Sequence, residues 1–245
     1  MKSKRKKVAF GVLIIILVSA AIVFFQFNTG GYLLSVPYRH SFVKIADNVY
    51  INRGNKRNKN EIIELVEQAK ERDRKFFGEL KGTDDLIIIV FDDEKLISKI
   101  GDKITHTLFF PNKKSYSCIY DDYFCIDIVA HEITHAELHS RLDINALKKL
   151  PTWFDEGIAL QNDYREQYDL DSWIEKTDNG KNTIALEDMD EASEFYAGTA
   201  DDRRFRYINA KYEVNEWMEK NKQQGLIDLI DRLNKGEDFK SVYGK

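Results

Sequence analysis

Five consecutive residues carry the strongest chemical signal in this 245-residue chain: His131-Glu132-Ile133-Thr134-His135. On an α-helix, positions i and i+4 fall about 40° apart on one face. Two imidazoles at that spacing can reach a single metal ion. Glu132 lies about 100° round, near enough to take a proton from a metal-activated water without being a ligand. The pattern suits metal-assisted hydrolysis. Such a site needs a third protein ligand and one open position. His139 continues the series by another turn, but three such side chains on one straight helix do not converge tightly. It is therefore expected to face solvent or to lie behind the ligands. Glu156 is the better candidate, in Pro151-Thr152-Trp153-Phe154-Asp155-Glu156-Gly157. A helix starting near Pro151 would bring it alongside the His131–His135 helix. Gly157, which lacks a Cβ, would let those two helices approach closely.

Several elements must position these residues. Residues 59–81 read as one amphipathic helix, with Ile62, Val66, Ala69, Phe76 and Phe77 at helical spacing. Leu86 to Phe91 is a short apolar run rich in β-branched residues, hence a buried strand. Asp92-Asp93 then makes a solvated turn. Strands are expected around Pro111 within 104–125. Cys118 and Cys125 sit symmetrically about Asp121-Asp122. A two-residue hairpin there would oppose them within disulfide range; two free core thiols are the equal alternative. Helices follow from about Ile126 to Arg141, from Pro151, and from Asp201 to Lys220. Shorter ones cover Leu226 to Leu233 and Phe239 to Tyr243, and residues 163–195 are mixed. A strand region followed by helices indicates an α+β fold with a small sheet and a mainly helical C-terminal half.

Composition sets the class. The chain is 43% hydrophobic and 32% charged with 3 prolines, which excludes a disordered or low-complexity protein. Two cysteines exclude a disulfide-dense scaffold. A net charge of −4 gives no nucleic-acid footprint. Five of the 37 basic residues lie within Lys2–Lys7, leaving 32 against 41 acidic residues elsewhere. Behind that cluster, Val8 to Phe27 is uncharged for twenty residues. Its helical length would be about 30 Å, one hydrocarbon thickness. The segment is expected to be a transmembrane anchor, with the N-terminus cytoplasmic and everything after it outside the membrane. A cleaved signal peptide ending near Ser19-Ala20-Ala21 is the rival. The expected organisation is thus a basic segment and anchor over 1–27, a linker or irregular region over 28–58, and a catalytic domain over 59–245.

His131-Glu132-x-x-His135 followed by Trp153-x-x-Glu156-Gly157-x-Ala159 resembles the gluzincin metallopeptidases. The resemblance extends weakly over residues 59–245, which are similar to compact peptidase-MA-like domains. The spacing between His135 and Glu156 is slightly longer than in aminopeptidase N-like relatives, and residues 140–150 can absorb the difference. The chain lacks the Gly-x-Met-Glu-Asn segment by which those relatives hold a free substrate N-terminus. The resemblance implies a Zn²⁺ site of His131, His135 and Glu156, with Glu132 as proton acceptor and a peptide or protein as substrate. Family members also supply a downstream Tyr or His for the oxyanion. Tyr207 matches best, with Tyr212 and Tyr196 as rivals. Arg203, Arg204 and Arg206 are either a solvated helix start or a clamp for a substrate carboxylate. A membrane-anchored, non-catalytic relative that binds a partner protein is the alternative function.

Overall fold

The computed structural model describes residues 10, 12–14, 16–17, 19–20, 23–26, 28–100, 105–110 and 113–244. The basic residues 2–7, several positions of the Val8–Phe27 run, Pro111 and the side chain of His106 lie outside that description. The fold is α+β, and two compact units are distinguished.

The first unit comprises Met1–Arg57, Ile87–Leu108 and Tyr116–Tyr123. Residues 28–57, expected as a linker or irregular region, begin with α1 (Thr29–Ser35), whose first turn is capped by the Asn28 side chain. Two strands follow, β1 (Phe42–Ala46) and β2 (Val49–Asn52), paired antiparallel from Phe42↔Asn52 to Ala46↔Val49. Asn48 takes a positive φ of 57° in the turn, a conformation asparagine tolerates. Strand β2 then pairs in parallel with β3 (Leu86–Phe91). With β4 (Thr105–Phe109) and β5 (Ser115–Tyr120) the sheet order is β1-β2-β3-β5-β4. Every residue of the central strand β3 is buried, which explains its unbroken apolar run.

The membrane expectation is corrected. Among the described residues no helix is long and apolar enough to cross a membrane. A span requires about 20 apolar residues in one continuous helix, and the described residues contain none that meets this. The transmembrane element of the expected fold class and the single-pass placement derived from it are both withdrawn. The hairpin around Asp121-Asp122 is also absent. Strand β5 leads into a 3₁₀ turn, Asp121–Tyr123, and then a helix, and no disulfide joins Cys118 to Cys125.

The second unit comprises Asn58–Leu86, Phe109–Ser115 and Phe124–Lys245. Its first helix, α2 (Lys59–Phe77), is capped by Asn58 and buries Ile62, Val66, Ala69, Asp73 and Phe77 on one face. Helix α3 (Ile126–Arg141) carries the His131–His135 segment and is buried from Ile128 to Leu138. Helix α4 (Thr152–Ala159) starts behind Pro151. Helix α5 (Leu170–Thr177) is followed by α6 (Ala200–Asn234), opened by a reciprocal Thr199/Asp202 cap. Lys222 interrupts α6 with non-helical angles (φ 60°, ψ −173°), separating the two helices read from the sequence. Helix α7 (Phe239–Tyr243) closes the chain.

Helices α2, α3, α4 and α6 pack in sequence, α2 on α3, α3 on α4, and α4 on α6. Trp153 and Phe154 of α4 fill the centre against Trp217, Phe239 and Tyr243, with ring centroids 5.1–6.0 Å apart. Two glycines permit close approaches. A Cβ on Gly82 would lie 2.3 Å from the Ala136 carbonyl oxygen of α3. A Cβ on Gly157 would lie 2.5 Å from Val214 Cγ2 and 2.7 Å from the Ala210 oxygen. Gly157 therefore serves the α4–α6 contact and not the α4–α3 contact expected of it.

Candidate metal centre

One helical turn separates His131 from His135, and their rings stand side by side with centroids 4.8 Å apart. The two Nε2 atoms are 3.2 Å apart. Glu156, carried by α4, brings Oε2 to 3.3 Å from His131 Nε2 and 3.5 Å from His135 Nε2. These three donors form a nearly equilateral triangle, and all three residues are buried. Tetrahedral zinc, with bonds of about 2.0–2.1 Å, separates its donors by about 3.3–3.4 Å. The triangle thus matches one face of such a tetrahedron. Glu156 Oε2 is buried and has no hydrogen-bond partner, as expected of a donor aimed at an ion. The residues fit the metal.

Charge supports the same geometry. Burial alone would raise the Glu156 carboxyl, but the neighbouring His135 and His131 imidazoles outweigh it and bring its pKa down to about 2. Burial opposes charge on His135, yet Asp155 and Glu156 hold its pKa well above the ordinary histidine value.

A second cluster behaves differently. His135 Nδ1 lies 2.8 Å from Asp155 Oδ1, and His139 Nε2 lies 2.7 Å from Asp155 Oδ2. Those are direct hydrogen-bond lengths, too short for ligands spread around an ion. Donation from His135 Nδ1–H to Asp155 leaves its Nε2 lone pair facing His131 and Glu156. Both histidines outweigh burial at Asp155 and hold its carboxyl far below the usual range. On the other flank, His131 Nδ1 is 3.7 Å from Asp163 Oδ2, and Arg165 grips that carboxylate at both oxygens.

Glu132 is buried between His131 and Ile133 on α3. Tyr196, at the end of the short helix Ala192–Phe195, donates its hydroxyl to Glu156 Oε1. Tyr207 of α6 lies within electrostatic reach of Glu156 and Glu132, and burial followed by the Glu156 charge holds its phenol well above its ordinary pKa. Its hydroxyl makes no hydrogen bond among the described residues. Tyr212 is elsewhere, stacked on Trp173 at 3.6 Å. Arg203 and Arg206 donate to the Gly198 and Ala197 carbonyls, and Arg204 pairs with Asp201. These arginines brace the start of α6 instead of forming a carboxylate clamp.

Two buried acids that hold α3 belong to no motif in the sequence. Asp73 Oδ1 lies 2.6 Å from Thr134 Oγ1 and accepts from Asn162 Nδ2 at 2.9 Å. Burial pushes its pKa up to about 8 despite those bonds. The one signal for it is an acid placed in the buried stripe Ile62, Val66, Ala69, Phe77. Glu137 accepts from the Lys81, Gly82 and Thr83 amides at 2.7–2.8 Å, from the Thr83 hydroxyl, and from Arg141. No local pattern announces Glu137, because those amide donors lie more than fifty residues away. No family model matches the chain, and no curated protein matches it.

Proposed function

We propose that this chain is a zinc-dependent peptidase of the gluzincin kind, with His131, His135 and Glu156 as ligands and Glu132 as the proton-transferring residue. The single observation that carries the reading is the buried donor triangle with edges of 3.2, 3.3 and 3.5 Å. Bound zinc would supply a Lewis acid and an acidified water at neutral pH. Glu132, on the same helix as the two histidines, accepts a proton from the attacking water and delivers it to the leaving amine. Asp155 keeps His135 in the tautomer required for ligation. Tyr196 holds the second oxygen of Glu156, so that Oε2 alone faces the histidines. Tyr207 donates to the oxyanion that develops on the scissile carbonyl.

The test pairs metal content with turnover. Full-length protein purified without chelator is expected to hold about one zinc per chain and to cleave members of a quenched-fluorescence peptide library. Glu156→Ala should lose or greatly weaken the zinc. A wild-type chain that takes up no zinc even on reconstitution would overturn the proposal. Zinc uptake without hydrolysis of any peptide would remove the peptidase reading and leave a metal-binding protein.

A further inference from the structure

We propose that His139 is a positioning residue for the metal centre, acting through Asp155 on the His135 imidazole. The inference rests on the metal reading above and deepens it. Asp155 and Glu156 are neighbours on α4, yet their carboxylates meet opposite edges of the His135 ring: Oε2 of Glu156 is near Nε2, and Oδ1 of Asp155 is on Nδ1. The orientation of His135 therefore depends on how firmly Asp155 is held. Asp155 is the less buried of the two, with its side chain 22% exposed against 7% for Glu156. An acid in that position can rotate toward water unless its other oxygen is also engaged.

His139 supplies that engagement. It lies one turn beyond His135 on α3, and its Nε2–H donates to Asp155 Oδ2 at 2.7 Å. The opposite ring nitrogen, Nδ1, is buried and has no hydrogen-bond partner among the described residues, so the ring's polar contact there runs in one direction only. Phe109 packs on the His139 ring with centroids 4.1 Å apart and also touches the edge of His135 at 6.5 Å. The aromatic cover fixes the ring that fixes the carboxylate. The chain His139 → Asp155 ← His135 has its two donors on α3 and its acceptor on α4, and so ties the ligand-bearing helices together at the ligand itself. Outer partners of metal-bound histidines set tautomer and ring orientation, and removing one costs roughly 10–100-fold in metal affinity.

The experiment is a zinc competition titration against a chromophoric chelator, on the full-length chain. Two substitutions of similar polarity separate the bond from the packing. In His139→Gln the amide nitrogen reaches the place of Nε2 and can donate to Asp155; in His139→Asn it is too short. Asp155→Ala should weaken zinc binding roughly 10–100-fold, His139→Asn by a smaller factor of about 3–10, and His139→Gln should stay close to wild type. In the Asp155→Ala background, His139→Asn should add nothing, because its effect passes through the missing carboxylate. Unchanged affinity in His139→Asn would overturn the inference, as would a loss of equal size in both backgrounds. Equal losses in Asn and Gln variants would also overturn it, since the donor would then be irrelevant. The thermal midpoint of the zinc-free protein, compared across variants, exposes any merely structural defect. A wild type that binds no zinc would sink the metal reading and the relay together, whereas tight wild-type binding with no His139 effect sinks the relay alone.

Discussion

The buried acid bonded to Thr134, between His131 and His135, makes a quantitative prediction. Asp73 is fully buried on α2, and burial pushes its pKa from 3.8 up to about 8. The folded state therefore binds this proton more tightly than the unfolded chain. The resulting stabilisation is complete below pH 3.8, declines as pH rises, and is gone above about pH 8. Within that window one pH unit corresponds to about 1.4 kcal/mol, so the wild type should lose about 2 kcal/mol between pH 6 and pH 8 from this group alone. Asp73→Asn removes the titration and leaves the geometry nearly intact. Its amide oxygen can take the place of Oδ1, accepting from Thr134 and Asn162, while its nitrogen replaces Oδ2, which has no partner. In the neutral wild type the Oδ2–H likewise lacks a partner among the described residues, so the two proteins bury a comparable unpaired donor below about pH 8. Charged neighbours facing the site are Glu137 on α3 and Arg72 on α2. Both remain in the variant. His135 is common to both proteins, so its contribution cancels in the difference between them. Urea unfolding at pH 6, 7 and 8, followed by tryptophan fluorescence at equal zinc concentration, measures that difference. The two proteins should be close in stability at pH 6, and Asp73→Asn should gain about 2 kcal/mol on the wild type by pH 8. A gap constant within about 0.5 kcal/mol across the three pH values would refute a neutral Asp73 and the reasoning behind it.

Other substitutions test the remaining assignments. Glu132→Gln should keep its zinc and lose roughly 10²–10⁴-fold in turnover; loss of zinc would instead make Glu132 a ligand. Tyr207→Phe should lower kcat roughly 10²–10³-fold with zinc content unchanged, while a rise in KM alone would leave Tyr207 a binding contact and not an oxyanion donor. Gly157→Ala forces a Cβ to within 2.5 Å of Val214 and 2.7 Å of the Ala210 oxygen, and should cost about 1–3 kcal/mol in urea unfolding. A neutral result there would mean that α4 and α6 separate freely.

Much of the centre is legible in the order of residues alone. The i, i+4 histidines need only the helical period, and Glu156 is singled out by its place behind Pro151 and before Gly157. Asp155, one residue earlier in the same segment, carries no such mark, because nothing local distinguishes a carboxylate that meets Nδ1 from one that meets solvent. The sequence leaves His139 either facing solvent or lying behind the ligands, and which of these holds depends on the approach of α4.

Features that reside within one element follow from residue order: the facing of His131 and His135, the buried strand Leu86–Phe91, the amphipathic stripe of α2, and the break between the two parts of α6. Local backbone periods set them, and residue order encodes those periods directly. Features that join elements required the folded chain. Packing brought Glu156 to 3.3 Å from His131, turned Gly157 toward α6, put Tyr196 on Glu156, left the Tyr207 hydroxyl without a partner among the described residues, and sealed Asp73 beneath Thr134. The fold also supplied no helix among the described residues that could cross a membrane, where the uncharged run had suggested one. Distances between elements are set by the burial of whole faces against one another, which depends on residues far apart in the chain. For that reason the shared face of His131 and His135 could be read from spacing, while the contacts of Asp155 and Asp73 could not.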